Sequence, residues 1–444
     1  MTPTNPPSPE QTSEQTPEIS GDGAQPSTDD IVVASGASAE LMAGSITEYL
    51  RIWFKQVRSG ESGALPVIVG LTVIVVFFWV KSPAFMTPRN LVNLMTQSAF
   101  IITLGMAEIF VLLLGDIDLA AGFTAACAAV ISLWMLALGD PWWAAVLTAL
   151  AATAAYGALQ GIVTSKLGLP SFVVTLAGQL GLSGLLLYLI SASGNVGVGG
   201  VISLHNSVIN DIENGYLNPT ATWIVMIAVT VVAGAAIFWG DYRRRSAGLV
   251  APPVSVSLLK AGAIVAAGII VAWVADLNRG RGFLVVEGMP WGVLLVLAIL
   301  FVWTILMGRT RFGRYIYAIG GSAEAARRAG INIVKIRTLA FMLCGLTAGM
   351  TGIIYASYLG SISTDVNGGQ NVLNAVAAAV IGGTSLFGGR GKMFHAVIGG
   401  LVVGVIYNGL ELLGLSASAQ LIWTALVLLA AVIVDRVTRR GSNA

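Results

Sequence analysis

Long apolar runs with no lysine or arginine in their interior constrain this chain most. They lie at roughly 64–80, 94–114, 118–138, 143–164, 171–191, 219–240, 260–276, 290–307, 338–358, 395–413 and 417–434, with a shorter piece at 372–387. Each full run is about 17–22 residues, which fits a hydrocarbon core about 30 Å thick. The pattern predicts an all-α, polytopic transmembrane helical bundle of about 10–12 spans. The range comes from 94–138, which holds acids, and from the short glycine-rich piece. Of the 444 residues, 56% are hydrophobic and only 10% are charged, against about a quarter charged in an average soluble protein. That excludes an ordinary cytosolic enzyme and disorder over the bulk of the chain. A net charge of +2 gives no argument for nucleic acid as a partner.

The cations orient the spans. With the N-terminus in the cytoplasm and 372–387 counted as a crossing, four of the 24 Lys and Arg fall outside: Lys81, Arg89, Arg279 and Arg281. The other 20 fall inside, richest in the loop 308–337 and at Arg243, Arg244 and Arg245. The positive-inside rule therefore predicts a multi-pass inner-membrane protein with both termini cytoplasmic.

Residues 1–40 are acidic and Pro-rich, with no Lys or Arg, and read as a disordered tail. The segment has neither the basic start nor the apolar stretch of a signal peptide. In 41–59, Met42, Ile46, Tyr49, Leu50, Trp53, Phe54 and Val57 recur at helical spacing, opposite Arg51, Lys55 and Arg58. This fits an amphipathic juxtamembrane helix on the cytosolic surface, or a plain extension of the first span. The transmembrane domain is expected over 60–440.

Much chemistry is missing. There is no phosphate-binding Walker loop: Met393 follows Gly391-Lys392, and Leu386 stands where the first Gly is needed. The two cysteines, Cys127 and Cys344, and the two histidines, His205 and His395, give no metal-ligand spacing. No cofactor is implied. Gly115-Asp116 lacks the preceding Gly of an intramembrane aspartyl protease, since Leu113 stands there.

Acids at membrane depth are costly and mark candidate sites. Here they are Glu108, Asp116, Asp118 and Glu411. Asp116 and Asp118 could serve transport, or could sit at the inner surface with Asp118 capping the next helix. Glu108 is expected to face the bundle rather than lipid. Gly345-Leu-Thr-Ala-Gly349 and Gly400-Leu-Val-Val-Gly404 permit close helix contact. No internal repeat is apparent. In the basic loop, Ser322 can cap a short helix with Glu324 in its first turn and Arg327 and Arg328 in its last. Gly330 can end it in the left-handed conformation. Such a helix is too polar to cross and suits either a cytosolic partner or a plain surface.

At this loop the sequence resembles the permease subunits of bacterial ATP-binding-cassette importers for ribose, xylose and related monosaccharides. The resemblance covers about 60–440. It rests on Pro83-Ala-Phe-Met-Thr-Pro-Arg-Asn90, Gly115-Asp-Ile-Asp-Leu-Ala-Ala-Gly122 and Pro170-Ser-Phe-Val-Val-Thr-Leu-Ala-Gly178. Tyr317-Ala-Ile-Gly-Gly with Glu324-Ala-Ala-Arg327, and Val380-Ile-Gly-Gly-Thr-Ser385 with Gly388-Gly389, complete it. An additional pair of spans within 219–307 resembles the xylose type more than the ribose type. Two positions depart from the family: Ala120-Ala121 replaces Ser-Val, and Val372-Leu373-Asn374 replaces a Glu-Leu-Asp run.

The resemblance implies a transport subunit and not an enzyme. It implies an ATPase partner, a periplasmic or lipid-anchored sugar-binding protein, and a second permease copy, as a homodimer. The ATPase-coupling segment would be Ser322, Glu324, Ala325, Ala326, Arg327, Arg328 and Gly330. A polar, uncharged lining suits a sugar, which needs hydrogen bonds and no counter-ion. Thr175, Gln179, Asn371, Asn374, Thr384 and Ser385 are candidates for the substrate path. Each could equally make a helix–helix hydrogen bond. The competing class is a proton-coupled secondary transporter that uses Glu108 or Asp116 as its relay.

Overall fold

The computed structural model describes residues 65–193, 200–249, 251–280, 285–416, 418–423, 425, 426 and 429. The acidic tail, the 41–59 segment and half of the run at 417–434 lie outside these residues.

The protein is an all-α bundle. Helix α1 (Leu65–Lys81) leads through a short turn at Pro83–Met86 to α2 (Pro88–Leu112). Then come α3 (Ala121–Ala137), α4 (Trp142–Leu167) and α5 (Ser171–Ala192). A strand β1 (Val201–Ser203) and the short helix α6 (Ser207–Asn214) precede the pair α7 (Pro219–Ser246) and α8 (Val254–Asp276). Next are α9 (Trp291–Arg309), α10 (Arg311–Gly321), α11 (Ala323–Arg328) and α12 (Ile333–Leu359). Strand β2 (Ser361–Ser363), α13 (Gly368–Ile381) and α14 (Phe394–Leu412) follow.

Among the described residues, eight helices are long and apolar enough to cross a membrane: α2, α4, α5, α7, α8, α9, α12 and α14. Three shorter apolar helices, α1, α3 and α13, accompany them. The most buried long helix is α2, which packs against α12, α13 and α14. In contrast, α7 and α8 pack mainly on each other and leave most of their surface uncovered.

The elements α10 and α11 mark one end of the bundle, and β1, β2 and α6 mark the other. The two strands pair antiparallel, Ile202 opposite Ile362. The starts of α7 and α9 also meet, since Leu217 N donates to Met289 O at 2.9 Å. Both helices therefore run away from a common end, which puts Arg243–Arg245 on the α11 side.

One device occurs twice, and this corrects the expectation of no internal repeat. Leu114-Gly-Asp-Ile-Asp118 follows α2, and Leu359-Gly-Ser-Ile-Ser363 follows α12. In each, a glycine with positive φ, Gly115 at 81° and Gly360 at 66°, turns the chain. Only glycine takes that conformation without steric cost. A non-helical stretch then leads to a short helix, α3 or α13. The first turns of these two helices touch: a Cβ on Gly122 would lie 1.9 Å from Gly368 O. Non-helical backbone at membrane depth is tolerated where protein covers it, and Asp118, Ile362 and Val366 are buried. The glycine-rich piece behaves as its composition predicts, with α13 stopping at Ile381 and the chain turning through Gly383, Gly388 and Gly389 at positive φ.

The small-residue spacings lie at helix crossings. Gly400 and Gly404 face Ile102 and Ser98 of α2. Gly345 meets α4, where an added Cβ would lie 2.3 Å from Thr153 O and 3.1 Å from Gly157 Cα. Both neighbours are backbone, so neither can swing aside. Gly345→Leu is expected to lose about 3 kcal/mol, the upper end of the usual overpacking cost. Gly262→Leu, with open space around it, is expected to change little. Thermal melting of the detergent-purified variants checks both.

Candidate functional site

The local sequence forms the helix pair at the α11 end as its caps dictate. Thr310 Oγ1 accepts from Gly313 N at 3.3 Å at the start of α10. Ser322 Oγ accepts from Ala325 N at 3.3 Å at the start of α11. Glu324 lies in the first turn of α11, Arg327 and Arg328 in its last. The helix ends before Gly330, whose φ is +79°. Only Ala326 of α11 is buried; Ser322, Glu324, Ala325, Arg327, Arg328 and Gly330 are exposed.

Behind this exposed helix the backbone is tightly held. A Cβ on Gly320 would lie 1.9 Å from Leu113 O and 2.5 Å from Gly389 N. Gly389 N donates to Leu113 O at 2.9 Å. Tyr317 Oη donates to Gly391 O at 2.7 Å. Ile316, Ile319, Ala326, Ile336 and Met393 share one apolar cluster with Leu113. The α10–α11 pair is thus tied to the end of α2, the start of α12 and the turn before α14. Movement of α11 would be transmitted to all three, because packed interiors deform little.

An ion pair reinforces the same junction. Arg337, near the start of α12, donates Nε to Asp116 Oδ2 at 2.6 Å and Nη2 to Oδ1 at 2.5 Å. This two-pronged geometry is the strong form of a charged hydrogen bond. Asp116 is 3% exposed. Asp118 is buried too, which corrects its reading as a surface cap. The residue at the N-cap of α3 is Ala120, and Asp118 Oδ1 instead accepts from Ala120 N at 3.0 Å, two residues on. Gln160 Nε2 and Cys344 Sγ also face its carboxylate, at 3.5 and 3.6 Å. Glu108 is fully buried, with no side-chain partner and only the Asp118 backbone beside its carboxyl.

A second feature runs from the junction of α3 and α13 toward the opposite end. Gln179 of α5 stands beside Gly369, in the first turn of α13. Two residues on, Asn371 faces the Tyr355 hydroxyl of α12. Tyr355 packs on Phe100 of α2, ring centroids 4.8 Å apart, and Phe100 on Tyr358 at 6.2 Å. Tyr358 faces Gln97. Gln97 Nε2 donates to Glu411 Oε2 at 2.9 Å, and its Oε1 accepts from Asn408 Nδ2 at 3.0 Å. Phe100, Tyr355, Tyr358 and Asn371 are half-buried, and we call this string of polar and aromatic side chains the wall.

Two of the six sequence-derived path candidates, Gln179 and Asn371, belong to the wall. The others lie elsewhere. Thr175 Oγ1 donates to Ile117 O at 3.2 Å and anchors the stretch before α3. Thr384 Oγ1 lies 3.2 Å from His395 Nδ1, and Ser385 Oγ accepts from Phe387 N at 3.2 Å, inside the turn before α14. Asn374 is 3% exposed, with its Oδ1 unpartnered. Sequence reasoning missed Gln97, Phe100, Tyr355 and Tyr358. In the sequence the aromatics merge with apolar spans; their alignment with Asn371 is visible only in three dimensions.

At the opposite end, α6 holds Glu213 in an apolar setting. Its N–H donates to Ser357 Oγ at 3.0 Å, but both carboxylate oxygens lack partners. Gly292 packs so closely that a Cβ there would lie 2.1 Å from Oε1. Burial pushes this carboxyl up to about 8. Between its ordinary value and about 8 the folded chain keeps a proton that the unfolded chain has lost. Stability therefore falls as pH rises through that window. Glu213→Gln is expected to flatten the fall and to melt higher than the wild type at pH about 8. Melting temperatures at both ends of the window check this.

A family model described as "Branched-chain amino acid transport system / permease component" matches residues 90–434. The chain belongs to this permease family. The permease is a multi-pass membrane transport subunit and not an enzyme. It is 33% identical over 395 residues to the xylose transport system permease protein XylH of Escherichia coli, spanning 88% of this chain and 95% of that one. It is 30% identical over 368 residues to the ribose import permease protein RbsC of the same species, spanning 83% and 92%. The D-allose transport system permease protein AlsC is 29% identical, spanning 82% and 89%. No solved structure matches the permease.

Proposed function

We propose that this chain is the membrane permease of an ATP-driven importer for a monosaccharide, with xylose or another pentose as cargo. The observation that carries this reading is the similarity along nearly the whole length of a xylose permease. The ribose and allose permeases stand slightly lower in identity. The pair α7–α8, the feature that resembles the xylose type, supports the same order.

The family description names amino acids, but the wall favours a sugar. A sugar offers hydroxyls for hydrogen bonds and C–H faces for packing on aromatic rings. Gln179, Asn371, Tyr355 and Tyr358 supply the first, held from behind by the buried Gln97, and Phe100 with both tyrosines the second. The wall has no Lys or Arg to pair an amino-acid carboxylate, and its one acid, Glu411, is held by Gln97. It is only half-covered within one chain, which suits a path completed by a second copy.

An ATPase subunit would grip α11 on the cytoplasmic side. Its closure would move the ends of α2, α12 and α14 through the ties behind α11. A sugar-binding protein would deliver cargo at the β1–β2 end. Proteoliposomes holding the permease, its ATPase and its binding protein test the cargo. Unlabelled xylose is expected to compete with labelled xylose better than ribose or allose does. Uptake that none of the three sugars inhibits would contradict the reading.

A further inference from the structure

The turn before α14 does more than tie α10 to α2: it holds one ring out of the bundle. Phe387 is 75% exposed, more than any other aromatic side chain among the described residues. Its neighbour Leu386 packs into the apolar cluster around Leu113. Arg390 and Lys392, a few positions on, are exposed cations.

The backbone that carries Phe387 is fixed on both sides of it. Ser385 N donates to Arg390 O at 2.8 Å and closes the loop around the ring. Phe387 N donates to Ser385 Oγ at 3.2 Å. A Cβ on Gly388 would lie 2.9 Å from Gly115 N and 3.0 Å from Gly320 O. The loop is therefore wedged between the chain after α2 and the end of α10. A ring presented on a backbone already held in place costs little further ordering on binding. That is the condition for an aromatic anchor at a protein interface.

The position of the loop says what covers the ring. Gly320, which Gly388 approaches, lies two residues before Ser322, the cap of α11. Phe387 and α11 thus belong to one surface at one end of the bundle. With six residues, α11 is only about 9 Å long. A stable interface takes roughly 20–30 residues a side, so any partner that grips α11 must extend onto its neighbours. Headgroup-level seats favour Trp and Tyr, whose polar tips stay wet; Phe387 has no such tip. Arg327, Arg328, Arg390 and Lys392 are all exposed on this surface, which suits a partner bearing carboxylates.

Resting on the reading of α11 as the ATPase contact, we propose that Phe387 is the aromatic anchor of the same interface. It seats in an apolar socket of the ATPase subunit whose rim carries carboxylates for Arg390 and Lys392.

Binding of the ATPase subunit to the immobilised, detergent-purified full chain tests this. Phe387→Ala is expected to weaken Kd roughly tenfold or more, and Phe387→Leu less. Both should melt with the wild type, because the ring is exposed. Separately, p-benzoylphenylalanine in place of Phe387 should photo-crosslink to the ATPase. In place of Leu138, 65% exposed after α3, it should not. Glu324→Lys probes α11 independently. Wild-type affinity in Phe387→Ala, with weakened binding in Glu324→Lys, would overturn the anchor and leave α11 in its role. Wild-type affinity in both, or a wild-type chain that does not bind the ATPase, would overturn both readings. Crosslinks from position 387 to a second permease copy, or in nanodiscs to lipid, in place of the ATPase would also overturn the anchor.

Discussion

Arg337→Ala is expected to destabilise the folded chain by about 3–5 kcal/mol, the range for removing one partner of a buried ion pair. Asp116 is the reason. It is 3% exposed and would remain behind without the two-pronged guanidinium contact. The loss should be non-additive. Asp116→Ala with Arg337→Ala removes both charges and should recover part of the stability, whereas Arg337→Lys keeps the charge but not the fork. Because this pair ties α2 to α12 beside α11, uptake should fall even at temperatures where Arg337→Lys stays folded. Melting curves and uptake for these three variants, with Asp116→Ala alone completing the double-mutant cycle, decide this. Simple additivity would mean that the two residues act independently.

Glu324→Lys is expected to abolish uptake while leaving the fold intact. Glu324 is exposed, and its ion pairs with Arg327 at 3.8 Å and Arg328 at 3.1 Å are on the surface. Such pairs contribute about 0–1 kcal/mol, so the melting temperature should barely move. The reversal puts a cation at the positive end of α11, beside two arginines, and inverts the charge pattern offered to a partner. Expression, membrane insertion and melting should match the wild type, while ATPase stimulation and uptake are lost. Gly330→Trp should act similarly, since a left-handed residue with a side chain costs about 1–2 kcal/mol at φ +79°. A Glu324→Lys variant that binds its ATPase and transports at the wild-type rate would remove α11 from the coupling role.

The fold class was legible because the bilayer imposes one rule, a helix of about 20 apolar residues, and the chain repeats it. The capped α11 was also legible, because its Ser, Glu, Arg and Gly are each read within a single turn. The repeated device was less so. Leu114-Gly-Asp-Ile-Asp118 and Leu359-Gly-Ser-Ile-Ser363 share a short pattern that hydrophobic periodicity ignores. The glycine turn and the short helix after it give the pattern meaning. Asp116 and Arg337 are 221 positions apart, and nothing local announces their pairing. Polar residues near the broken run 372–387 were chosen by type and by that break, and neither shows that Thr384 and Ser385 hydrogen-bond within the turn before α14. The wall's aromatics looked like ordinary span residues until two helices, α2 and α12, placed Phe100, Tyr355 and Tyr358 together.

The energy source of transport separates the two classes of transporter that the acids and the coupling helix suggest. Glu108, fully buried without a side-chain partner, is the residue on which a proton-driven mechanism would depend. Asp116, engaged by Arg337, is poorly placed to act as a relay. The decisive measurement is labelled xylose uptake into proteoliposomes with and without the ATPase and ATP, in the presence and absence of an imposed proton gradient. Uptake is expected to require both ATPase and ATP and to continue when a protonophore collapses the gradient. Uptake driven by the gradient alone, and lost in Glu108→Gln, would contradict an ATP-driven permease.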